Sequence, residues 1–244
     1  MKQYALIGNS LTHSFSKRYF TNKFEVEQIP DCQYDLFELE TIEEFPNLLK
    51  ANTDLAGLNV TIPYKESIIP FLDELSDAAT EIGAVNTISM KNGILKGCNT
   101  DVLGFGDSLF TWLKEKPKGA LILGTGGASK GIAYVLRKAG IPYLKVSRSL
   151  EKGNLTYSDL DGSILSEYSL IINTTPLGTF PNINTAPDIP YKLLTKRNCL
   201  YDLVYNPEKT VFLKSGITKN CQTKNGLEML VAQAEYSWGI WNAI

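Results

Sequence analysis

The sequence predicts an α/β protein of two domains. Short apolar segments alternate with amphipathic segments from residue 3 onward, and the alternation restarts at residue 120 of the 244 residues. Strand-helix alternation of this kind is typical of a parallel sheet covered by helices. The helix-breaking stretch Pro117-Lys118-Gly119 separates the two runs. The first run is therefore expected to form one domain and the second run another.

The first run predicts a strand-helix-strand-helix-strand unit. Its strands are expected at residues 3–8, 32–39 and 55–61, and its helices at residues 15–27 and 42–51. The alternation implies that the three strands are parallel and that the two helices cover their sheet.

Three further features complete the first domain. A helix is expected from residue 64 to residue 75, because its apolar residues recur on one face. An Asn-Gly pair separates apolar runs at residues 84–90 and 94–98, which indicates a hairpin because both residue types tolerate positive φ. Another helix is expected after Asp101, running to about residue 116.

The second run predicts a sheet of short, buried parallel strands. They are expected at residues 120–123, 143–146, 155–157, 169–172 and 200–204. Short apolar runs rich in β-branched residues are typical of strands that are covered on both faces. A last helix is expected over residues 225–244, where Trp238 and Trp241 lie at near-helical spacing.

Composition and charge exclude several classes of function. The net charge is −2 without a long run of one sign, so no basic surface for nucleic acid is expected. No run of about 18 apolar residues is present, so no membrane span is expected. The four cysteines are scattered without metal-ligand spacing, which predicts buried free thiols, no bound metal and a reducing, cytoplasmic location. His13 is the single histidine, so proton transfer in an enzyme would fall to His13 or to another type of side chain.

A glycine-rich turn follows the strand expected at residues 120–123. Gly124, Gly126 and Gly127 stand between that apolar strand and a helix, which is the context of a dinucleotide-binding turn. Gly124 permits the tight turn, and Gly126 lets backbone N–H groups approach a pyrophosphate at the helix N-terminus. Ser129 replaces the third glycine of the pattern and is small enough for close packing. The alternative is a strand-helix turn that needs glycines for its own geometry.

The end of the next strand predicts which dinucleotide binds. NAD sites place a carboxylate about 20 residues after the glycine turn, where it binds the ribose 2′-hydroxyl. Here that region reads Ser147-Arg148-Ser149, without a carboxylate. An arginine suits a 2′-phosphate through charge-assisted hydrogen bonds, so NADP is favoured over NAD. The alternative for Arg148 is a solvated surface arginine.

Small polar side chains stand at the ends of the predicted strands of the first domain. They are Ser14, Ser16, Asn59, Thr61, Lys65, Asn86, Asn99 and Asp101. Ligands of open α/β sheets gather at the carboxyl ends of strands, so these groups are expected to line a substrate site in the crevice between the domains. Their hydroxyls, amides, amine and carboxylate suit a polyhydroxylated small acid more than an apolar ligand.

Each of these residues, taken singly, also has a structural interpretation. Ser14 or Ser16 could cap a helix, and Asn59 could close a turn. Asp101 could cap the helix that is expected to begin at the next residue. Lys65 alone would most often be a surface lysine. The functional interpretation depends on several strand ends meeting in one place.

Six short motifs follow one another along nearly the whole chain. They are Ser14-x-Ser16, Asn59-Val60-Thr61-x-Pro63-x-Lys65, Gly83-Ala84-Val85-Asn86-Thr87, Gly97-x-Asn99-Thr100-Asp101, Gly124-x-Gly126-Gly127-Ala128 and Gly226-Leu227-x-Met229-Leu230-Val231-x-Gln233. Together they resemble the shikimate dehydrogenase family, and the second and fourth motifs in combination are highly specific.

The resemblance implies an NADP-dependent oxidoreductase that reduces 3-dehydroshikimate to shikimate, on the route to chorismate and the aromatic amino acids. It implies that Lys65 and Asp101 are the catalytic pair. The substrate-binding residues that it implies are Ser14, Ser16, Thr61, Asn86, Asn99, Tyr205 and Gln233. The cofactor-binding residues, from the glycine turn and from the resemblance, are Gly124, Gly126, Gly127, Ala128, Ser147, Arg148 and Gly226.

The expected fold is an N-terminal α/β substrate domain and a C-terminal Rossmann-type dinucleotide-binding domain, with the last helix packing back on the N-terminal domain. The substrate domain is predicted to comprise residues 1–101 with the helix at 225–244, and the NADP-binding domain residues 102–224. Pro63 is expected to begin a helix that carries Lys65 in its first turn. A monomer or homodimer is expected, with a small-molecule substrate and neither nucleic acid nor membrane as partner.

Three features depart from the family's pattern. Tyr64 stands where the family often has His or Phe, and Val102 replaces a usual glycine. Residues 148–157 are too few for a helix and a strand, so the adenosine end of the cofactor site is expected to be more open. Two alternatives stay open at this point. One is a quinate/shikimate dehydrogenase with broader substrate or NAD use, and the other is a non-catalytic NADP-binding regulatory module.

Overall fold

The computed structural model describes residues 1–12 and 14–243, so His13 lies outside the described residues. The chain divides into two units. The N-terminal unit comprises Met1–Leu103 and Gln233–Ile244, and the C-terminal unit comprises Gly104–Ala232. The predicted two-domain α/β organisation is confirmed. The functional boundaries after residue 101 and before residue 225 stay a prediction.

Six strands form the sheet of the N-terminal unit. They are β1 (Lys2–Gly8), β2 (Cys32–Glu38), β3 (Leu55–Val60), β4 (Glu74–Leu75), β5 (Thr87–Lys91) and β6 (Ile94–Cys98). Their order across the sheet is β2-β1-β3-β5-β6-β4. β1 is parallel to β2 and β3, as the alternation predicted, and β5 is antiparallel to β3 and β6. The β5–β6 hairpin turns at Asn92 and Gly93, whose φ values of 51° and 78° confirm the predicted turn.

Four helices begin within this unit. They are α1 (Phe15–Val26), α2 (Phe45–Ala51), α3 (Asp77–Ile82) and α4 (Asp101–Trp112). A 3₁₀ turn, Ile42–Glu44, precedes α2 inside the segment predicted as one helix. The sequence reasoning missed both β4 and α3.

The helix expected at residues 64–75 is wrong. Residues 62–68 form consecutive turns, Ile69–Phe71 is one turn of 3₁₀ helix, and β4 follows. Pro70 has no N–H group for the Glu66 carbonyl, which accepts a hydrogen bond of 3.3 Å from Ile69 N instead. The apolar residues that suggested a helical face still pack against the core of the N-terminal sheet. Lys65 therefore lies in a turn and not at a helix N-terminus.

The C-terminal unit contains a second sheet of six strands. They are β7 (Ala120–Leu123), β8 (Tyr143–Ser147), β9 (Leu155–Thr156), β10 (Leu170–Asn173), β11 (Cys199–Asp202) and β12 (Gln222–Lys224). Their order is β12-β11-β10-β7-β8-β9, and every neighbouring pair is parallel. From β7 the chain first adds β8 and β9 on one side and then β10, β11 and β12 on the other. This switch point beside β7 is the position where open α/β sheets form ligand crevices.

The remaining helices are α5 (Gly127–Lys138), α6 (Gly162–Glu167), α7 (Val211–Ile217) and α8 (Leu227–Asn242). The helix after the glycine turn was predicted, whereas α6, α7 and β12 were missed. β7 and β10 are buried along their whole length, in agreement with their uninterrupted apolar sequences. That burial on both faces is what a doubly covered parallel sheet requires.

The last helix, α8, packs on the N-terminal sheet as predicted. The Trp241 indole stacks on Tyr4 with ring centroids 4.8 Å apart, and Trp241 Nε1 donates to the Ile88 carbonyl over 3.0 Å. Gly57 of β3 makes room for the indole, because a Cβ at that position would overlap the ring. The division between the two units falls within α8, between Ala232 and Gln233.

None of the four cysteines forms a disulfide, but only Cys221 is buried, and Cys32, Cys98 and Cys199 are half-buried. The expectation of buried thiols is therefore wrong for three of them.

In the part of the chain that the structure describes, no helix is both long enough and apolar enough to cross a membrane.

Candidate active site

The carboxyl edge of the N-terminal sheet collects the connections that carry the predicted substrate residues. β1 and β3 are parallel, so both end at this edge. β5 is antiparallel to β3 and begins there, and β6 is antiparallel to β5 and ends there. Side chains after β1, β3 and β6 and before β5 therefore come from distant parts of the sequence to one edge.

Lys65 and Asp101 form an ion pair at this edge. Lys65 Nζ donates to Asp101 Oδ2 over 2.6 Å, and the two side chains are 31% and 30% exposed. The Lys65 carbonyl accepts a hydrogen bond of 2.7 Å from Val85 N, which ties the turn to the segment before β5. Asp101 is the first residue of α4, so its interpretation as the cap residue before the helix is wrong. The pair is held in place and remains accessible to a ligand.

Ser14 and Ser16 lie at the beginning of α1. Ser14 Oγ accepts a hydrogen bond of 3.3 Å from Lys17 N, so Ser14 caps α1 as the structural interpretation proposed. A capping hydroxyl accepts through oxygen, and its O–H can still donate to an anion. Burial raises the pKa of the Tyr34 phenol, and a hydrogen bond with the Ser16 side chain opposes that rise. Both serines are half-buried.

Asn86 is held with its side-chain oxygen turned inward. Its Oδ1 accepts a hydrogen bond of 2.7 Å from Thr100 N. Because this donor is a backbone N–H, the oxygen of the amide and not its nitrogen must face it. Its Nδ2 donates to Thr100 Oγ1 over 3.0 Å. A side-chain amide has two N–H groups. Asn86 can therefore offer a ligand its second N–H, as a donor.

Asn99 is held through its amide nitrogen, which leaves its side-chain oxygen available. Its Nδ2 donates to the Ala84 carbonyl over 3.0 Å. Among the described residues, Asn99 Oδ1 is a buried oxygen without a hydrogen-bond partner. Buried acceptors in folded proteins are nearly always satisfied, so this oxygen calls for a donor such as a ligand hydroxyl. Ligand hydroxyls can both donate and accept, so their chemistry suits the free donor of Asn86 and the acceptor of Asn99.

The remaining predicted substrate residues have different surroundings. Thr61 follows β3, is half-buried, and its N–H donates to the Ile7 carbonyl over 2.9 Å. Gln233 is buried on α8. Tyr205 belongs to the C-terminal unit, where it follows β11 and is 37% exposed. Asn59 lies inside β3 with its side chain in buried hydrogen bonds, so the idea that it closes a turn is wrong.

The glycine turn of the C-terminal unit fits a dinucleotide diphosphate. Gly124 follows β7 with φ of 106°, a conformation that a side chain would strain. Gly126 is the N-cap of α5, and α5 begins at Gly127. A Cβ at Gly126 or Gly127 would meet no atom within 4 Å, so the space in front of the helix is open. Ala128 follows on α5, whose first N–H groups and dipole favour an anion.

The end of β8 lies at the same edge of this sheet. Ser147 ends β8 and is buried, and its Oγ accepts a hydrogen bond of 3.3 Å from Ser149 N. Arg148 is exposed beside it. The described residues 148–154 contain no helix, as the short sequence predicted. Asn154 holds this connection against β8 through hydrogen bonds of 2.8 Å with the backbone of Lys145.

Gly226 is required for a close approach of two backbones. A Cβ at this position would overlap the carbonyl oxygen of Leu203. Gly226 N also donates to the Val204 carbonyl over 3.3 Å. The segment after β12 therefore lies against the loop after β11, which carries Tyr205.

Asp202 is a residue of this edge that the sequence reasoning missed. It is 0% exposed, and its Oδ1 accepts from Asn173 Nδ2 over 2.9 Å and from Val204 N over 3.1 Å. Its Oδ2 accepts from Thr210 Oγ1 over 2.5 Å. Burial raises the pKa of Asp202 to about 6, and these three hydrogen bonds oppose the rise. The carboxylate joins the ends of β10 and β11 to the start of α7.

Comparison with known proteins identifies the family. Residues 6–88 match the family described as "Shikimate dehydrogenase substrate binding domain". The chain is 38% identical to the shikimate dehydrogenase (NADP(+)) of Caldanaerobacter subterraneus subsp. tengcongensis, over 98% of this chain and 91% of that protein. A crystal structure of a shikimate dehydrogenase in complex with NADP+ superposes with a TM-score of 0.88 and 31% identity, over 100% of this chain and 91% of the other.

A second solved structure has a different substrate in its name. The quinate dehydrogenase of Corynebacterium glutamicum in complex with NAD superposes with a TM-score of 0.88 and 25% identity, over 100% of this chain and 94% of the other. The fold is thus common to proteins named for shikimate and for quinate. The identity to the Caldanaerobacter protein over nearly the full length of both chains is higher. On that similarity and on the match of residues 6–88, the chain belongs to the shikimate dehydrogenase family.

Proposed function

We propose that this protein is an NADP-dependent dehydrogenase that reversibly reduces 3-dehydroshikimate to shikimate, a step in aromatic amino-acid biosynthesis. The Lys65–Asp101 ion pair of 2.6 Å carries the proposal, because it places a proton donor at the edge where small polar side chains converge. Relatives named shikimate dehydrogenase (NADP(+)) support both the substrate and the cofactor.

Reduction of a ketone to an alcohol consumes one hydride and one proton. Bound NADPH supplies the hydride. Lys65 Nζ gives its proton to the ketone oxygen as negative charge develops there, and is reprotonated from solvent. Asp101 holds the ammonium group by the 2.6 Å contact and accepts a hydrogen bond from a neighbouring ring hydroxyl. In the reverse direction the same amine takes the proton from shikimate.

The other predicted residues orient the substrate. Ser14 and Ser16 donate their O–H groups to its carboxylate, in accord with their position at the beginning of α1. Asn86 offers an N–H donor and Asn99 offers the oxygen that lacks a partner among the described residues. Thr61, Tyr205 and Gln233 are proposed as further contacts. Fixed donors and acceptors of this kind favour one arrangement of ring hydroxyls over others.

The residues of the C-terminal unit fit NADP. Gly124, Gly126, Gly127 and Ala128 hold the diphosphate at the N-terminus of α5. Ser147 and Arg148 hold the 2′-phosphate, for which a guanidinium provides planar, charged donors. Gly226 keeps the segment after β12 against the loop that carries Tyr205.

Replacing Arg148 with glutamine is expected to raise the KM for NADP+ by about tenfold or more, since a charge-assisted contact to phosphate is lost. The KM for NAD+ is expected to stay unchanged, because NAD+ lacks the 2′-phosphate. Arg197→Gln is a matched control, because Arg197 is exposed and precedes β11 at the opposite edge of the sheet. Equal losses for NADP+ and NAD+ in the Arg148 variant would contradict this role.

Initial rates with shikimate and with quinate, each with NADP+ and with NAD+, test the proposed function. The highest kcat/KM is expected for shikimate with NADP+. Turnover of quinate but not shikimate would establish the quinate alternative, to which the fold shared with quinate dehydrogenase also points. Binding of NADP+ without turnover of either acid would establish a regulatory module.

Two finer expectations stay predictions from the sequence. One is a monomeric or homodimeric state, which light scattering of the purified protein measures. The other is a cytoplasmic location, which fractionation of cells that produce the protein tests.

A further inference from the structure

A buried group of hydroxyls and amides surrounds Asn86, one of the predicted substrate residues of the N-terminal unit. Its members come from β3, from β5, from the residues before α4 and from α8. They are Asn59, Asn86, Thr87, Thr100 and Ser237, and all are buried. Ser237 is the member that α8 contributes, and it is 0% exposed.

Ser237 contacts all four of these segments through one oxygen. Its Oγ lies 2.9 Å from the carbonyl oxygen of Gln233 and 3.0 Å from Asn59 Nδ2. It also lies 2.8 Å from Thr87 Oγ1 and 3.2 Å from Thr100 Oγ1. A serine hydroxyl has one proton and two acceptor lone pairs, so it can donate one hydrogen bond and accept at most two.

The chemistry of the partners fixes the direction of these hydrogen bonds. The Gln233 carbonyl can only accept, so Ser237 donates its proton to it. The amide Nδ2 of Asn59 can only donate, so the Ser237 oxygen accepts from it. With its proton already used, Ser237 can meet the hydroxyls of Thr87 and Thr100 only as an acceptor, and its two lone pairs serve at most two of its three possible donors. Asn59 Nδ2 also donates to Thr87 Oγ1, and Thr87 Oγ1 can donate to Asn86 Oδ1. Ser237 therefore helps to orient the threonine protons, in competition with Asn86 Oδ1.

The oriented hydroxyls are in contact with predicted site residues. Thr100 holds Asn86 through its backbone N–H at 2.7 Å and its Oγ1 at 3.0 Å, and the next residue is Asp101. Thr87 Oγ1 lies 3.1 Å from Asn86 Oδ1. On α8, the Ser237 hydroxyl bonds to the backbone of Gln233, one helical turn earlier.

We propose that Ser237 is a positioning residue for substrate binding. It acts through Thr87, Thr100 and the backbone of α8 to hold the side chains of Asn86 and Gln233 at a fixed spacing. This role depends on the proposed function, because it presumes that Asn86 and Gln233 contact shikimate. Ser237 itself is 0% exposed and exchanges no proton with the substrate.

The test is the steady-state kinetics of Ser237→Ala in the full-length protein. The KM for shikimate is expected to rise about fivefold to tenfold, the effect of a lost buried hydrogen bond. The kcat is expected to stay within about twofold and the KM for NADP+ to stay unchanged, because Lys65, Asp101 and the C-terminal unit keep their contacts. A role in stability alone would lower the melting temperature and leave the KM for shikimate where it was.

Ser108→Ala is the matched control. Ser108 is a buried helical serine whose Oγ accepts a hydrogen bond of 2.9 Å from the Tyr201 hydroxyl in the C-terminal unit. The Ser108→Ala substitution is expected to lower the melting temperature with no change in the KM for shikimate. An unchanged KM for shikimate in a folded Ser237→Ala variant overturns the proposal, and so does an equal rise in both variants.

A second variant keeps the proposal testable if Ser237→Ala does not fold. Thr87→Val removes the other hydroxyl of the 2.8 Å contact at nearly constant volume, and is expected to raise the KM for shikimate with little change in kcat. A folded Thr87→Val protein with an unchanged KM then overturns the proposal. Failure of the wild-type protein to oxidise shikimate with NADP+ would instead refute the proposed function.

Discussion

Replacing Lys65 with alanine is expected to lower kcat for shikimate oxidation by about 10²-fold to 10⁴-fold, the range for loss of a general acid–base group. The KM for shikimate is expected to rise much less, because the substrate contacts proposed for Ser14, Asn86 and Asn99 do not involve the amine. Lys65 Nζ is held 2.6 Å from Asp101 Oδ2 and the Lys65 side chain is 31% exposed, so its removal takes away the proposed proton donor without opening the core. Initial rates of NADPH formation at saturating NADP+ measure both constants.

Lys96→Ala is the control for this experiment. Lys96 belongs to β6 of the same unit, and its Nζ lies 3.3 Å from Glu74 Oε2 in an exposed ion pair. Exposed pairs contribute little to stability, so this variant is expected to keep the wild-type kcat. A Lys65→Ala enzyme whose kcat stayed within a few-fold of wild type would show that another group transfers the proton.

Replacing Asp202 with alanine is expected to lower the free energy of unfolding by about 3 kcal/mol at pH 5, because buried donors lose their acceptor. Asn173 Nδ2, Val204 N and Thr210 Oγ1 all donate to this carboxyl group. Urea denaturation followed by circular dichroism measures the change. Asp161→Ala is a suitable control, since exposed Asp161 accepts one N–H at the N-cap of α6 and is expected to cost about 1 kcal/mol.

The same residue gives stability a defined dependence on pH. The pKa of Asp202 is about 6 in the folded protein and 3.8 for an ordinary aspartate, so the folded state binds this proton more tightly than the unfolded chain. The stabilisation from the bound proton is fully present below pH 4 and is lost as the pH rises through 6. Asp202→Asn lacks this titration. The stability of wild type relative to Asp202→Asn is expected to fall by on the order of 3 kcal/mol across that range.

A constant stability difference between wild type and Asp202→Asn from pH 4 to pH 7 would contradict the raised pKa. An increase in the relative stability of wild type with rising pH would mean that the pKa of Asp202 is lowered in the folded protein. In the first case the three hydrogen bonds would offset the effect of burial, and in the second they would outweigh it.

Local sequence patterns were sufficient for much of the fold. The uninterrupted apolar run at Ala120–Leu123 defined β7, and the Asn-Gly pair located the β5–β6 hairpin. Prediction was wrong at residues 64–75, where an apolar spacing typical of a helix belongs to turns that pack on the core. Pro70 interrupts the backbone ladder there, and its effect outweighs the periodicity of the apolar residues.

The sequence indicated some of the residues that the structure brings together at the candidate site. Motif resemblance and strand ends together indicated Lys65 and Asp101, which the structure brings to 2.6 Å. Ser237 and Asp202 were missed because their roles depend on partners far away in the sequence. A serine among apolar residues of a helix and an aspartate at the end of an apolar strand have no local signature. Their contacts become apparent only when the sheets bring Thr87, Thr100 and Thr210 beside them.

The most direct test of the central claim is the consumption of NADPH when 3-dehydroshikimate is added to the purified wild-type protein. One NADPH is expected to disappear for each shikimate formed, with the product identified by chromatography. A folded protein that binds NADPH but neither consumes it nor forms shikimate from 3-dehydroshikimate would contradict the claim.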